Sequence, residues 1–154
     1  MFPLSLKRAI IALNRSKDLL KEITIFIEEQ NLKEEYPHIF LSEWQHELFF
    51  LCDITKHLNE VNLKLQGKNK FIWDLARTVT EFMRKLQVFK EQIKENDFSF
   101  FPSLKEIESK INDTAPYVEF IDGLIREFDS RFQDFKKYGL AFQFIKNPFT
   151  FHKN

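Results

Sequence analysis

Glycine and proline are scarce in this chain, with 3 and 5 copies in 154 residues. These two residues interrupt helices more strongly than any others, so their scarcity favours long helices. Three scattered glycines also exclude a glycine-rich loop for the phosphates of a nucleotide, because such a loop needs several glycines close together. The sequence therefore predicts a helical chain without that kind of nucleotide site.

A single cysteine, Cys52, excludes a disulfide within the chain and a structural zinc site built on several thiolates. A reducing, intracellular compartment therefore suits the chain better than secretion. Residues 1–17 contain one short apolar patch and no small-residue cleavage site after it, so no signal peptide is predicted. No apolar run approaches the length that crosses a membrane, and no membrane contact is expected.

Net charge is also absent, because 23 basic residues balance 23 acidic ones. A dedicated nucleic-acid binder concentrates positive charge on one face, so the balance argues against nucleic acid as the partner of this chain. Charged residues make up 30% and hydrophobic residues 44% of the sequence, which is typical of a globular protein. At this length we expect a single helical domain over residues 1–154.

Phenylalanine is the residue in excess, with 19 copies, and predicts a core built from aromatic rings. The chain is organised around the stretch Leu48–Gly67. Apolar or small residues alternate along it at steps of three and four, which places them on one face of a helix. We predict a helix from about Ser42 to Leu65, opened by a capping box between Ser42 and Gln45 and closed by Gly67.

Similar spacing predicts further helices on both sides of the central one. One runs from about Ser5 to Asn31, and another runs from about Asn69 to Lys94. The short turn between the central helix and the latter makes these two helices antiparallel neighbours. The aromatic connector Asn96–Pro102 is expected to cover one end of the bundle.

The last third of the chain contains two more helix signals. Ser103 and Glu106 form a capping-box pattern that predicts a short helix to about Ile111. The final helix is predicted from about Ala115 to Tyr138, with Thr114 as its cap and Pro116 in its first turn. Five apolar residues are expected along one side of it, namely Phe120, Leu124, Phe128, Phe132 and Phe135. The predicted fold class is all-α: a bundle of about four long helices plus one short helix, with a Phe-rich C-terminal tail, residues 140–154.

Two pairs of residues are candidates for chemistry. Glu43 and His46 have the spacing used in di-iron bundles, but such a site needs two of these pairs and two further glutamates. Cys52 and His57 are more than one helical turn apart and point in different directions, so a buried Cys52 is expected. We therefore predict no catalytic, cofactor-binding or metal-binding residue and no cofactor.

Other polar residues of the central helix are interpreted as structural, namely Asp53, His57, Asn59 and Asn62. Asp53 and His57 are four residues apart and can pair on the helix surface. Lys64, Lys68 and Lys70 form a small basic cluster near Trp73, which could combine stacking with phosphate contacts. A solvated helix end explains the same cluster more simply.

Several motifs follow one another in an informative order. Trp44 precedes LFFLCDI (48–54), TKHLN (55–59) and LKLQG (63–67), and farther on come FFPSL (100–104), EFDSRFQDF (127–135) and NPF (147–149). From about Ser5 to Phe151 this order resembles the hAT-type transposase-derived proteins of animals, which include the general transcription factor II-I repeat-containing, ZBED and FAM200-like proteins. The resemblance implies the helical region that is inserted into an RNase H-like catalytic domain in that family.

The same resemblance has implications for function. No position of this sequence matches the three catalytic acids of the family, and no BED zinc finger is present, so no catalytic residue is carried over. We expect a non-catalytic fragment of a hAT-like transposase, either a protein-interaction module or a chain without selected function. The alternative is a nuclear protein associated with nucleic acid or transcription. The expected partner is a protein or a second copy, bound through the Phe-rich tail, and the resemblance favours the nucleus over the cytoplasm.

Overall fold

A computed structural model describes residues 4–66, 71–107 and 111–133 of the chain, with side chains from residue 7 onward. The elements are α1 (Leu4–Asp18), α2 (Leu20–Glu29), a 3-10 turn (Pro37–Phe40), α3 (Ser42–Leu65), α4 (Ile72–Lys94), α5 (Pro102–Lys105) and α6 (Ala115–Arg131). These ranges contain no strand, which confirms the predicted all-α class. Within them, no helix is both long and apolar enough to cross a lipid bilayer.

The predicted first helix is two helices, α1 and α2, that meet at Leu19. Leu19 has φ −95° and ψ 5°, outside the helical range, but its N–H still donates to the Arg15 carbonyl oxygen at 2.9 Å. The junction is therefore a bend rather than an unwound segment. Because neither glycine nor proline marks this position, the apolar spacing alone predicted one continuous helix there.

Asparagine ends two helices in this glycine-poor chain. Asn31 after α2 and Asn96 after α4 have left-handed φ values of 57° and 58°. At each end the following N–H reaches back five residues, from Leu32 to Ile27 at 2.9 Å and from Asp97 to Gln92 at 2.8 Å. Asparagine tolerates this conformation better than most residues, so it takes the place that glycine usually has after a helix.

The central helix, α3, has the predicted bounds but not the predicted cap. Leu41 is the N-cap residue and its side chain makes no capping hydrogen bond. Gln45 Nε2 instead donates to the Ile39 carbonyl oxygen at 2.9 Å, which ties the helix to the preceding 3-10 turn. The capping box of Ser42 and Gln45 was therefore wrong, because the helix begins one residue earlier than that motif requires. Gly67, its predicted stop, lies outside the described residues.

Helices α3 and α4 pack as antiparallel neighbours, as the short turn predicted. His57 of α3 contacts Phe89 of α4, and farther along α3 Val61 lies beside Phe82. Residue numbers therefore rise along one helix as they fall along the other. Helix α4 ends at Lys94 as predicted, whereas its predicted start at Asn69 lies outside the described residues.

The core lies between α3, α4, α5 and α6, and six of its thirteen buried members are aromatic. Its buried members are Phe50, Ile54, Val61, Val79, Phe82, Leu86, Phe89, Ile93, Phe101, Leu104, Tyr117, Ile121 and Phe128. Phe101 comes from the aromatic connector, which packs into the middle of this core between Phe50 and Phe89. The connector therefore does more than cover one end of the bundle.

Helix α6 confirms the predicted proline position and corrects the cap and the buried side. Pro116 lies in the first turn, but Asp113 Oδ1, not Thr114, accepts a hydrogen bond from the Ala115 N–H at 2.8 Å. The buried residues are Tyr117, Ile121 and Phe128, whereas Phe120 is 41% exposed. The predicted stripe correctly included Phe128, and its members Leu124 and Phe132 are partly buried against the core, but it missed Tyr117 and Ile121. The described helix ends at Arg131, and the predicted extension to Tyr138 with Phe135, like the Phe-rich tail, lies outside the described residues.

Candidate functional site

One face of α3 packs against the segment 100–104 through three residues spaced at three and four. Phe50 stacks on Phe101 with ring centroids 5.3 Å apart. Asp53 Oδ2 accepts a hydrogen bond from the Leu104 N–H at 3.1 Å. His57 Nε2 lies 2.9 Å from the Phe100 carbonyl oxygen. Two of the motifs that carried the sequence resemblance, LFFLCDI and FFPSL, are therefore in direct contact.

Asp53 is the buried charged residue of this contact, with 1% of its surface exposed. Leu104 is the third residue of α5, and its N–H is one that a helix start leaves without an internal partner. Asp53 accepts a hydrogen bond from this N–H although it lies on a different helix. It therefore caps the start of α5 from 51 residues away in sequence. Its other oxygen, Oδ1, lies 3.7 Å from Lys56 Nζ and accepts no hydrogen bond among the described residues.

Two lysines converge on the buried hydroxyl of Ser103. Lys17 Nζ of α1 donates to Ser103 Oγ at 3.2 Å, and Lys56 Nζ of α3 donates to it at 3.4 Å. Lys17 also pairs with Glu106 at 3.2 Å. The capping box predicted for Ser103 and Glu106 was therefore wrong, because both side chains bind lysine instead of the backbone. The predicted helix to Ile111 is also shorter, since α5 ends at Lys105.

This cluster of Lys17, Asp53, Lys56, Ser103 and Glu106 joins α1, α3 and the α5 region. An ammonium group has only hydrogens to donate, so neither lysine can take the Ser103 proton while it donates to that hydroxyl. The cluster therefore holds α1, α3 and the α5 region together. It does not provide a base that would activate Ser103 as a nucleophile. Sequence reasoning missed Lys17 and Lys56 because their link to Ser103 crosses 86 and 47 residues.

His57 shares this face of α3 with Asp53 but does not pair with it, so that predicted surface pair was wrong. Lys85 Nζ lies 3.3 Å from His57 Nδ1. Because lysine can only donate and the Phe100 carbonyl can only accept, these contacts suit the tautomer with its proton on Nε2. The ring also packs against Phe89 at 4.7 Å. His57 therefore links α3, α4 and the connector.

Cys52 is fully buried in α3, as predicted. Burial raises the pKa of the Cys52 thiol, although the nearby Lys56 ammonium opposes the shift. A buried thiol with a raised pKa is a poor nucleophile. The pairing of Cys52 with His57 as a nucleophile and base receives no support, since His57 contacts Lys85 and Phe100 instead.

The remaining candidate residues do not form a site among the described residues. Glu43 is exposed whereas His46 is buried, and in the described ranges no three His, Cys, Asp or Glu side chains converge as metal ligands. Trp73 stacks on Phe71 with centroids 4.5 Å apart. Lys68 and Lys70, its predicted basic neighbours, lie outside the described residues. Asn62 is buried and accepts a hydrogen bond from Gln66 Nε2 at 3.0 Å, which fits a structural role.

A groove of about 530 Å³ opens beside the lysine cluster, between α1–α2 and the α3–α5 side. Its walls carry Lys17, Lys21, Asp18 and Glu106, two charges of each sign. Leu20, Phe49 and Ile107 add apolar surface. Balanced charge over apolar surface suits a polypeptide better than a phosphate-rich ligand, because phosphates need excess positive charge.

The fold and these contacts define a helical domain in which a polar cluster around the buried Asp53 and Ser103 joins helices that are distant in sequence. The chain belongs to the family described as the FAM200/GTF2IRD2 helical domain, which matches residues 5–94. The chain is also similar to the General transcription factor II-I repeat domain-containing protein 2 of Bos taurus, with 30% identity over 140 residues. The protein of the same name in Mus musculus is 28% identical over 140 residues.

The two relatives are much longer than this chain. The match covers 91% of this chain in both cases, but only 14% of the Bos taurus protein and 15% of the Mus musculus protein. No solved structure matches the chain. The comparisons thus confirm the family part of the predicted resemblance.

Proposed function

We propose that the chain is a non-catalytic helical module, derived from a hAT-like transposase, that acts through contacts with a protein partner or with a second copy. The observation that carries the proposal is the apolar surface of α2. Leu19, Ile25 and Phe26 are 51%, 54% and 56% exposed, although the opposite side of α2 is buried through Leu20 and Ile27. Apolar side chains grouped on one helix are typical of protein interaction sites.

The contacts that polar side chains make between helices support the non-catalytic part of this proposal. Asp53, His57 and Ser103 are all engaged in contacts between helices. The sequence also offers no match to the catalytic acids of the transposases it resembles. The relatives' name refers to a general transcription factor, which supports the nucleus as the location of the chain.

Light scattering after gel filtration of the intact chain tests the contact surface. Phe26→Asp should weaken self-association or abolish the capture of a defined protein partner, because it puts a charge into the apolar surface. Val88→Asp is the matched control, since Val88 is a similarly exposed apolar residue of α4. Truncation after Tyr138 tests the Phe-rich tail and should change the oligomeric state. A chain whose oligomeric state and partner binding are unchanged by both Phe26→Asp and the truncation would refute the interaction role.

The second candidate function is association with nucleic acid, as the resemblance implies for longer relatives. Trp73 stacked on Phe71 offers an exposed aromatic surface of the kind that stacks on bases. A DNA-binding assay across a range of salt concentrations separates the candidates, since phosphate contacts weaken as salt rises. Binding at low salt that falls with salt, and that Trp73→Ala removes, would favour this second function.

A further inference from the structure

A separate groove lies where the starts of α3 and α6 meet, and it remains partly uncovered. It measures about 270 Å³ and is lined by Glu47, Phe50, Leu51, Pro116, Tyr117 and Phe120. The Phe50 ring packs on Tyr117 with centroids 4.8 Å apart and meets Phe120 edge-on at 5.6 Å. Phe120 remains 41% exposed at the edge of this aromatic surface.

Acidic side chains surround the groove. Glu47 lines it, and Glu43 and Asp113 lie close enough to act on Tyr117 electrostatically. Together with burial, these carboxylates raise the pKa of Tyr117 to about 12. Among the described residues no lysine or arginine pairs with Glu43 or Glu47. The groove therefore suits an occupant that supplies both aromatic rings and positive charge.

We infer that this groove receives the Phe-rich tail, residues 140–154, of the same chain. The tail has the required chemistry, since it contains four phenylalanines, two lysines and no acidic residue. Its rings match the aromatic lining of the groove, and its lysines match the acidic rim.

The length of the chain allows this docking. Tyr117 and Arg131 are fourteen residues apart on α6, which is about 21 Å along a helix axis. Residues 134–142 can extend to about 30 Å, so Phe142 and everything after it can return to the groove. A segment tethered to the same chain has a higher effective concentration at the groove than a free second copy, which favours the same chain.

This inference concerns contacts within one chain and does not depend on the apolar surface of α2 that carries the function proposed above. A nitroxide label on Gln143→Cys in the intact chain tests it by nuclear magnetic resonance. We expect the amide signals of Leu51 and Tyr117 to lose most of their intensity relative to the reduced label. Treating the unsubstituted chain with the same reagent controls for labelling of Cys52, which is buried.

Charge reversal supplies the matched comparison. Glu47→Lys should restore the intensity of both groove signals because it repels the tail lysines. Glu29→Lys, an exposed position of α2, should leave the intensity loss unchanged. Mixing the labelled chain with an isotope-enriched unlabelled chain reveals contacts between copies. Intensity loss in that mixture would assign the groove to a second copy and overturn the inference, as would full intensity at Leu51 and Tyr117 in the labelled chain.

Discussion

Replacement of Asp53 by alanine tests whether the link between α3 and α5 stabilises the whole domain. The change removes the acceptor of the Leu104 N–H, which lies in a residue that is 2% exposed. Loss of a helix cap costs about 0.5–2 kcal/mol. A buried N–H left without a partner costs about 1–3 kcal/mol. Because both effects concern the same N–H, they overlap and do not add, and we expect the free energy of unfolding to fall by about 1–3 kcal/mol.

Urea unfolding followed by circular dichroism measures this loss, and a constant slope against urea shows that the transition remains two-state. For a chain of this size the melting temperature should fall by roughly 2–12 °C. Asp53→Asn keeps an oxygen for the Leu104 N–H but loses the charge 3.7 Å from Lys56 Nζ, so it should cost less than alanine. This order of the two variants distinguishes loss of the hydrogen bond from loss of the ion pair.

Glu106→Gln is the control for a general loss of charge near the cluster. Its pair with Lys17 is mostly solvated, since the Glu106 side chain is 64% exposed. Such exposed pairs contribute about 0.2–1 kcal/mol. If Asp53→Ala unfolds within about 0.5 kcal/mol of the unsubstituted chain, a change typical of an ordinary surface position, the role assigned to Asp53 is refuted.

Three further predictions concern α3 and α6. Gly123→Ala should stabilise the chain by up to about 1 kcal/mol in thermal unfolding, because glycine weakens a helix interior. The added Cβ would meet Arg126 Nη2 at an ordinary 3.9 Å, so a loss of stability would contradict this view of the site. Cys52 should react with a thiol reagent in urea but not in the native state, and rapid native labelling would show that α3 is not packed as described. Tyr117, whose pKa rises from 10.0 to about 12, keeps its proton in the folded chain at pH values where the unfolded chain releases it. Stability should therefore fall as pH rises from 10 towards 12, and Tyr117→Phe should flatten that slope; an unchanged slope would refute the assignment.

Helix positions could be predicted from the sequence where apolar spacing was regular and the ends carried clear signals. The bounds of α3 and the end of α4 at Lys94 are the best examples. The bend at Leu19 could not be predicted, because its residues favour helix on both sides. The helix ends at Asn31 and Asn96 depend on a left-handed backbone conformation. Asparagine tolerates this conformation, but it predicts a helix end less strongly than glycine does.

Side-chain partners were harder to predict than helices. In both predicted capping boxes the side chains bind elsewhere, since Gln45, Ser103 and Glu106 have partners outside their own helix turn. Asp53 was interpreted as structural without a partner, because its partner Leu104 depends on how the connector folds back onto α3. Such contacts join residues far apart in sequence, and a single sequence contains no spacing rule for them.

Because Phe101 and Leu104 lie in the core, the unit that folds cooperatively extends beyond the segment that defines the family. The family match covers residues 5–94, yet five of the thirteen buried core residues described here come after residue 94. Cutting the chain there would leave the inner faces of α3 and α4 in water. Hydrogen exchange should therefore find the amides of α4 and α6 opening together at one free energy, as a single foldon that extends past the recognised segment.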